Sequence, residues 1–382
     1  MALPSAHHVL AEVRVTGPGD VFTIVGRSTR VTVSSITAAP AQWGLVVRGQ
    51  QITGPARSDL VLHGVNAALS MGAADFQRLT ASFPDVTVVR VTIDEQCWDP
   101  YFVAAQEGAA CRSFDTPGAV GAPAYRARVA QVVQEAESSG RTVVIGVDDA
   151  ARDDAAYVPR QQDDVVAPDQ HTLAVYRDVA TEWKGDRQVA FETFNEPKMK
   201  AGQTYAPDGL SGPALWRDGG RMTDGGDTWR APGEQQIVDT IRTTGATNLV
   251  MVQGESWGED LSPVEGAPIT GTNLLYSVHA YNPGQVTYDD QLDTLSAPLF
   301  DPNGPYRYAG FMSEFGTTEP DSLAGSQGSQ FLTSAMDWAD AHHLGWAAWG
   351  WFPSSWGDAY ALLQAYQPLE LNGKGKTVAA RF

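Results

Sequence analysis

The chain has 382 residues, with 26 Lys or Arg against 45 Asp or Glu, a formal net charge of −19. That excess of acid repels phosphate backbones and anionic bilayers, which argues against nucleic acid or a membrane surface as a partner. A hydrophobic share of 43% with plentiful but aperiodic Gly and Pro excludes a fibre or a disordered chain and fits a loop-rich globular domain.

Residues 1–55 hold short alternating runs, Glu12-Val13-Arg14-Val15 and Arg30-Val31-Thr32-Val33, expected as strands of a small β extension packed on the main domain. Met1 to Ser5 lack the charged and apolar regions of a signal peptide, so the N-terminus reads as trimmed, and no run of about 18 apolar residues offers a bilayer span. From Asp59 strand and helix alternate regularly. Leu60 to Asn66 is the first buried strand, a helix covers Ala74 to Phe83, and Val86 to Val91 is the second strand. Arg90 interrupts that apolar strand, and a charge there needs a partner, of which an ion pair at a barrel rim is the ordinary kind. Cys97 and Cys111 lie 14 positions apart (111 − 97) in the loop that follows. They form either a disulfide, implying an oxidising compartment, or two buried thiols, and neither has the His spacing of a zinc site.

A helix from Pro123 to Ser139, stopped by Gly140, leads to the third strand, Arg141 to Asp148. A further helix, Pro168 to Trp183, leads to Val189-Ala190-Phe191-Glu192-Thr193-Phe194-Asn195-Glu196-Pro197, where Pro197 ends the ladder and leaves Glu196 at a strand tip. The stretch 198–230 reads as a long irregular loop whose Trp216 and Trp229 either bind a ligand or pin the loop. A helix from Gly233 to Thr243 precedes the fifth strand, Asn248 to Gly254, which ends near Trp257. In the sixth, Leu274 to Tyr281, His279 and Tyr281 share one side by the two-residue period. The seventh, Tyr308 to Gly316, carries Glu314 near its tip, and a helix from Ser329 to His342 leads to the eighth, Gly345 to Trp351. The same period puts Trp349 and Trp351 on one side. Such alternation predicts an α/β fold, one (β/α)8 TIM barrel over residues 56–382, with the strand tips converging on one ligand at its C-terminal face.

Asn195-Glu196-Pro197 after a fourth strand and Ser313-Glu314-Phe315-Gly316 after a seventh resemble the signature of retaining glycoside hydrolases of the cellulase type, family 5 of the clan built on (β/α)8 barrels. Gly64-Val65-Asn66, Arg90, His279-Ala280-Tyr281 and the terminal Trp run extend the resemblance in the family's order over roughly Asp59 to the C-terminus. The resemblance implies that Glu196 is the acid and then the base and Glu314 the nucleophile, about 5 to 5.5 Å apart. It implies that Asn195 holds the sugar 2-hydroxyl, that Arg90 and Tyr281 keep Glu314 ionised while Glu196 stays protonated, and that His279 borders the cleft. Either Trp349 or Trp351 would floor the reacting-sugar subsite, with Trp257 and Asp148 also in the binding set. Asp148 stands near where the family usually carries a His.

The enzyme so implied is a secreted monomer that cleaves β-linked oligo- or polysaccharide, as an endo-β-glucanase or mannanase, with no metal or cofactor. An exo-acting β-glycosidase, with the loops at 94–121 and 198–230 walling off one end of the cleft, is the alternative, as is an inactive sugar-binding barrel. For residues 1–55 the alternative to a β extension is a carbohydrate-binding module.

Overall fold

The computed structural model describes residues 22–25, 30–33, 45–48, 51–54, 60–69, 71–98, 122–148, 167–199, 212–224, 227–281, 289–300, 308–318 and 327–382. Met1–Trp43 and Gly44–Phe382 are separate compact units. In the first, Phe22–Val25 and Arg30–Val33 pair antiparallel, with Ile24 opposite Val31. The expected strand at Glu12 to Val15 lies outside the described residues.

In the second unit eight parallel strands close a barrel. They are β1 His63–Ala67, β2 Val88–Asp94, β3 Thr142–Asp148, β4 Val189–Glu192, β5 Val250–Gln253, β6 Leu274–Tyr281, β7 Gly310–Gly316 and β8 Gly345–Trp351. β8 returns to β1, with Ala347 beside Gly64. Helices α1 Ala73–Ser82, α2 Ala122–Ser138, α3 Gln170–Trp183, α4 Glu234–Thr243, α5 Pro263–Gly266, α6 Asp289–Leu295, α7 Gln327–Ala341 and α8 Gly373–Ala379 follow the strands in turn. Local chemistry sets their ends. The Asp169 carboxylate accepts from the His171 and Thr172 amides at the start of α3, and Gly140, at φ +78°, turns the chain out of α2.

The two-residue strand period divides each strand between two environments. Val89, Val91 and Ile93 of β2, Val143, Ile145 and Val147 of β3, and Val189 and Phe191 of β4 join the cluster that the helices cover. Val88, Val144 and Ala190 belong to a second cluster inside the barrel. Arg90 and Glu192 are therefore on the inner side, one step above Val88 and Ala190.

The lower end of the barrel is closed by a hairpin, Val46–Arg48 with Gln51–Thr53. Leu45 and Ile52 pack with Leu62, Leu249, Met251, Leu275 and Phe311. Asn273, just before β6, ties the hairpin down: its Nδ2 donates to the Leu45 carbonyl at 2.9 Å and its Oδ1 accepts from the Val47 amide at 2.8 Å. This corrects the expected boundary at residue 55, because burial of Leu45 and Ile52 makes the hairpin part of the barrel unit.

The stretch expected as an irregular loop after β4 contains a helix, Pro213–Asp218, and a hairpin, Gly220–Asp224 with Asp227–Ala231. Its tryptophans pin it. Trp216 is fully buried with Nε1 donating to the Gln253 carbonyl at 3.2 Å, and Trp229 donates to the Pro168 carbonyl at 3.0 Å. Beyond β2 the chain makes a helical turn, Glu95–Trp98, that buries Cys97; Cys111 and most of the expected loop lie outside the described residues. Among the described residues no helix is long and apolar enough to cross a membrane.

Candidate active site

Arg90 stands at the centre of the upper barrel and is fully buried. Its Nε donates to Glu192 Oε2 at 2.5 Å, Nη1 to Asn66 Oδ1 at 2.7 Å and to Glu314 Oε1 at 2.5 Å, and Nη2 to Asn195 Oδ1 at 2.7 Å. Such a fork suits a guanidinium and no other side chain, since it aims rigid donors in several directions while staying charged. Burial alone would lower its pKa, but the charges of Glu192 and Glu314 outweigh that and raise it. The same pairing acts on Glu192: burial pushes it up, Arg90, His279 and the Ser277 hydroxyl together more than reverse this, and it lies below the usual carboxylate range. Gly146 on β3 leaves room for it, because a Cβ there would sit 3.2 Å from Glu192 Oε2.

Glu314 accepts at both oxygens, from Arg90 at Oε1 and from the Tyr281 hydroxyl at Oε2, 2.6 Å away. Tyr281 holds that proton firmly, since burial and then Glu314 raise its pKa well above the ordinary value. Burial also raises Glu314, with Glu196 pushing the same way and His279, Arg90 and Tyr281 pulling it down. These neighbours act in the expected direction, while desolvation leaves Glu314 above the ordinary carboxylate value. Its geometry still favours the anion, because both oxygens face groups that have only protons to offer.

Glu196 is half-buried, follows the end of β4, and sits at φ +52°, a left-handed conformation unusual for a residue with a side chain and a strain that concentrates at functional sites. Its Oε1 lies 2.9 Å from Nδ1 of the buried His279, which is also 3.6 Å from Glu314 Oε2. Burial works against a charged His279, but Glu314 and then Glu196 raise its pKa above the ordinary imidazole value. Ligand atoms of Glu196, His279 and Glu314 all lie within 4.8 Å of one another, the one such group of potential metal ligands among the described residues. The Arg90 guanidinium on Glu314 already supplies the positive charge that a cation would bring. What this geometry offers is a close carboxyl pair at the strand tips, able to deliver a proton and a carboxylate to one bond.

Arg90, Asn195, Glu196, His279, Tyr281 and Glu314 are thus brought together from β2, β4, β6 and β7. Trp349 is half-buried, its Nε1 held by Asp358 Oδ2 at 2.9 Å. Trp351 is placed elsewhere: it is fully buried and packs edge-on against Tyr366. The expectation that both tryptophans share one side fails because the pairing of β8 with β1 shifts register between Ala348 and Trp351, which breaks the two-residue period. Asp148 ends β3 half-buried, beside Asp94 in register. Trp257, at φ +62°, is 46% exposed, with Lys198 Nζ 4.9 Å from its ring centre.

Sequence reasoning named Asn66 only as part of a motif and gave no role to it or to Glu192, Gln253, Ser277 and Ser313, all buried in the layer around Arg90. Their signal was present: each is a polar residue at or beside an inner-facing position of an apolar strand.

The cellulase family, glycosyl hydrolase family 5, matches this chain over residues 80–355. Endoglucanase N of Pectobacterium atrosepticum is 27% identical over 136 residues, which cover 33% of this chain and 27% of that protein. An endoglucanase of Bacillus sp. (strain KSM-635) is 23% identical over 186 residues, 46% of this chain and 18% of that protein. The matched segments therefore span about a quarter or less of those relatives. Among solved structures, a beta-glucanase from Saccharophagus degradans in complex with cellotetraose superposes with a TM-score of 0.61 at 17% identity, covering 89% of this chain and 93% of that one. The catalytic domain of a Thermobifida fusca endoglucanase gives 0.56 at 14% identity over 88% and 96%. At such identities the structures speak for the fold alone, and it is the family match across β2 to β8 that shows this chain to belong to the cellulase family, glycosyl hydrolase family 5.

Proposed function

We propose that the protein is a retaining hydrolase of β-linked glucan that cuts within the chain, with Glu314 as nucleophile and Glu196 as acid and base. The observation that carries this is the spacing: the two carboxyl groups bring oxygens within 4.8 Å of each other. That is close to the ~5–5.5 Å of retaining enzymes and too near for the water that inverting enzymes place between carboxyls ~6.5–9.5 Å apart. In the first step Glu314 bonds to the anomeric carbon, the bond to the leaving oxygen breaks, and that oxygen takes its electron pair together with the Glu196 proton. In the second, Glu196 removes a proton from water, the water oxygen bonds to the same carbon, and the Glu314 ester breaks. Two inversions give net retention.

Asn195 supports this reading. With Oδ1 committed to Arg90, it has Nδ2 to offer a sugar 2-hydroxyl. Trp349, anchored through Asp358, offers an indole face to a pyranose ring. The family match and the cellotetraose held by the Saccharophagus degradans neighbour favour β-glucan as substrate. Secretion belongs to the same reading, with a Cys97–Cys111 bridge stiffening the loop after β2.

Three measurements test it together. Viscosity of a soluble β-glucan should drop well before much reducing sugar appears, and proton NMR should show the retained anomer first. Glu196→Ala given an activated aryl β-glycoside and azide should yield the β-glycosyl azide, and Glu314→Ala the α-azide, because one inversion replaces two. An inverted first anomer, or the azides the other way round, would remove the assignment of the two glutamates.

A further inference from the structure

Behind the carboxyl pair lies a chain of buried hydrogen bonds whose direction follows from counting protons. Glu192, charged beside Arg90, can only accept, so the Ser277 hydroxyl donates to its Oε1 at 2.7 Å. Ser277 Oγ and Ser313 Oγ are 2.5 Å apart. The one Ser277 proton is taken by Glu192, so Ser313 donates to Ser277. Ser313 then has no proton left for Gln253, whose Nε2 is 3.3 Å away and must be the donor. The same Nε2 lies 3.0 Å from His279 Nε2. Gln253 keeps this orientation although its own Oε1 has no hydrogen-bond partner among the described residues.

The chain continues to the cleft. A Gln253 N–H aimed at His279 Nε2 requires that nitrogen to be an unprotonated acceptor, which places the imidazole proton on Nδ1, 2.9 Å from Glu196 Oε1. Gly258 closes the back of the imidazole: a Cβ there would sit 2.6 Å from Gln253 Oε1 and 2.9 Å from His279 Cγ. A slip in the pairing of β6 and β7 between Val278 and His279, which takes Met312 and then Glu314 as partners, turns Ser313 and Glu314 into the same interior.

We infer that Gln253, oriented by Glu192 through Ser277 and Ser313, is a positioning residue that holds His279 as the Nδ1–H tautomer and so confines the transferable proton of Glu196 to Oε2. Glu196 Oε1 is then always an acceptor, and its proton stands on the oxygen free to meet a leaving group. With the opposite tautomer, Nδ1 would present a lone pair and draw that proton away from the substrate. The nearby carboxylates favour a second proton on His279, and the Gln253 amide opposes it, since an Nε2–H would meet an N–H. This inference rests on the acid role proposed for Glu196.

The test pairs kinetics with NMR on the full chain. In Gln253→Glu a carboxylate replaces the amide donor and calls for a proton on His279 Nε2. Hydrolysis of soluble β-glucan, whose leaving group needs an acid, should fall by roughly 100-fold or more, within the range that general acid catalysis supplies. Glycosyl-enzyme formation from 2,4-dinitrophenyl β-cellobioside, whose leaving group needs none, should fall by less than about tenfold, an allowance for altered packing alone. Gln253→Met, which neither donates nor accepts, should fall between wild type and Gln253→Glu on glucan. In wild-type protein labelled with 15N-histidine, the resonances missing from His279→Gln should show Nδ1 protonated and Nε2 bare, and Gln253→Glu should show Nε2 protonated. Equal losses on both substrates would overturn the inference, as would a wild-type His279 protonated at Nε2. Glu196→Ala serves as the reference: if it discriminates the two leaving groups and Gln253→Glu does not, the relay fails and the acid assignment stands, whereas if Glu196→Ala does not discriminate, the assignment itself fails.

Discussion

Glu234, the first residue of α4, is fully buried, and neither of its carboxyl oxygens has a hydrogen-bond partner among the described residues. Burial pushes its pKa from 4.5 up to about 8; the Thr193 hydroxyl, nearby but short of a hydrogen bond, pulls the other way, and Glu192 adds to the rise. The folded pKa is above the unfolded one, so the stability this group contributes is fully present below about pH 4.5 and is lost as pH rises through about 8. Gln copies the protonated acid at every pH. At ~1.4 kcal/mol per pH unit, Glu234→Gln should stabilise the protein by about 1 kcal/mol at pH 5, about 3 at pH 7 and about 5 at pH 9. Guanidinium unfolding of both proteins, followed by tryptophan fluorescence at those three pH values, reads the difference directly. A gain that stayed the same from pH 5 to pH 9 would mean that Glu234 does not carry its proton into the neutral range, and the desolvation argument would be wrong.

Arg90→Met removes the donor to Asn66, Glu192, Asn195 and Glu314 and leaves two buried carboxylates unpaired; stability by chemical denaturation should fall by about 3–5 kcal/mol near neutral pH, less in acid, with activity lost. Tyr281→Phe deletes a hydrogen bond that favours charged Glu314, so the acid limb of the pH profile of kcat/KM should move to higher pH; an unmoved limb counts against Glu314 as the group titrating there. Trp351→Ala should cost about 3–5 kcal/mol in unfolding free energy as a core truncation, whereas Trp349→Ala should act mainly by raising KM on soluble glucan. Peptide mapping without reductant should recover Cys97 joined to Cys111, and reduction should cost up to about 3 kcal/mol, the chain-entropy value for a closed loop of ~15 residues.

The barrel was legible because its strands end in residues that cannot continue them, such as Pro197, and because most strands keep their period, the exceptions being β8 and the pairing of β6 with β7. Arg90 stood out as a charge on an apolar strand that needs a partner, and Glu314 as a carboxylate at a strand tip. Glu192 is the same kind of residue, in the same segment as Glu196, but the strand-tip argument looks at the end of a strand and not one layer below it. Trp351 was misplaced where a register shift, invisible in a single strand, broke the alternation. Gln253, Ser277 and Ser313 acquire their roles only once β4, β5, β6 and β7 lie side by side, since Gln253 meets Ser313 across 60 positions and Ser277 meets Glu192 across 85. The hairpin before β1 was assigned to the extension because its apolar partners, Leu249, Leu275 and Phe311, come hundreds of positions later or nearly so.

That hairpin also orders events during synthesis. It emerges early, yet the amide that ties it down, Asn273, is 226 residues beyond Val47. At ~5–20 residues per second the ribosome delivers that residue about 10–45 s later, a long wait for Leu45 and Ile52 with their apolar surface in water. The floor of the barrel is thus a contact of high sequence separation, the kind that slows folding. The strands from β1 to β4 can pair as they appear, but the ring cannot be sealed below until β6 has left the ribosome, so the first segment of this unit to be made is among the last to be fixed.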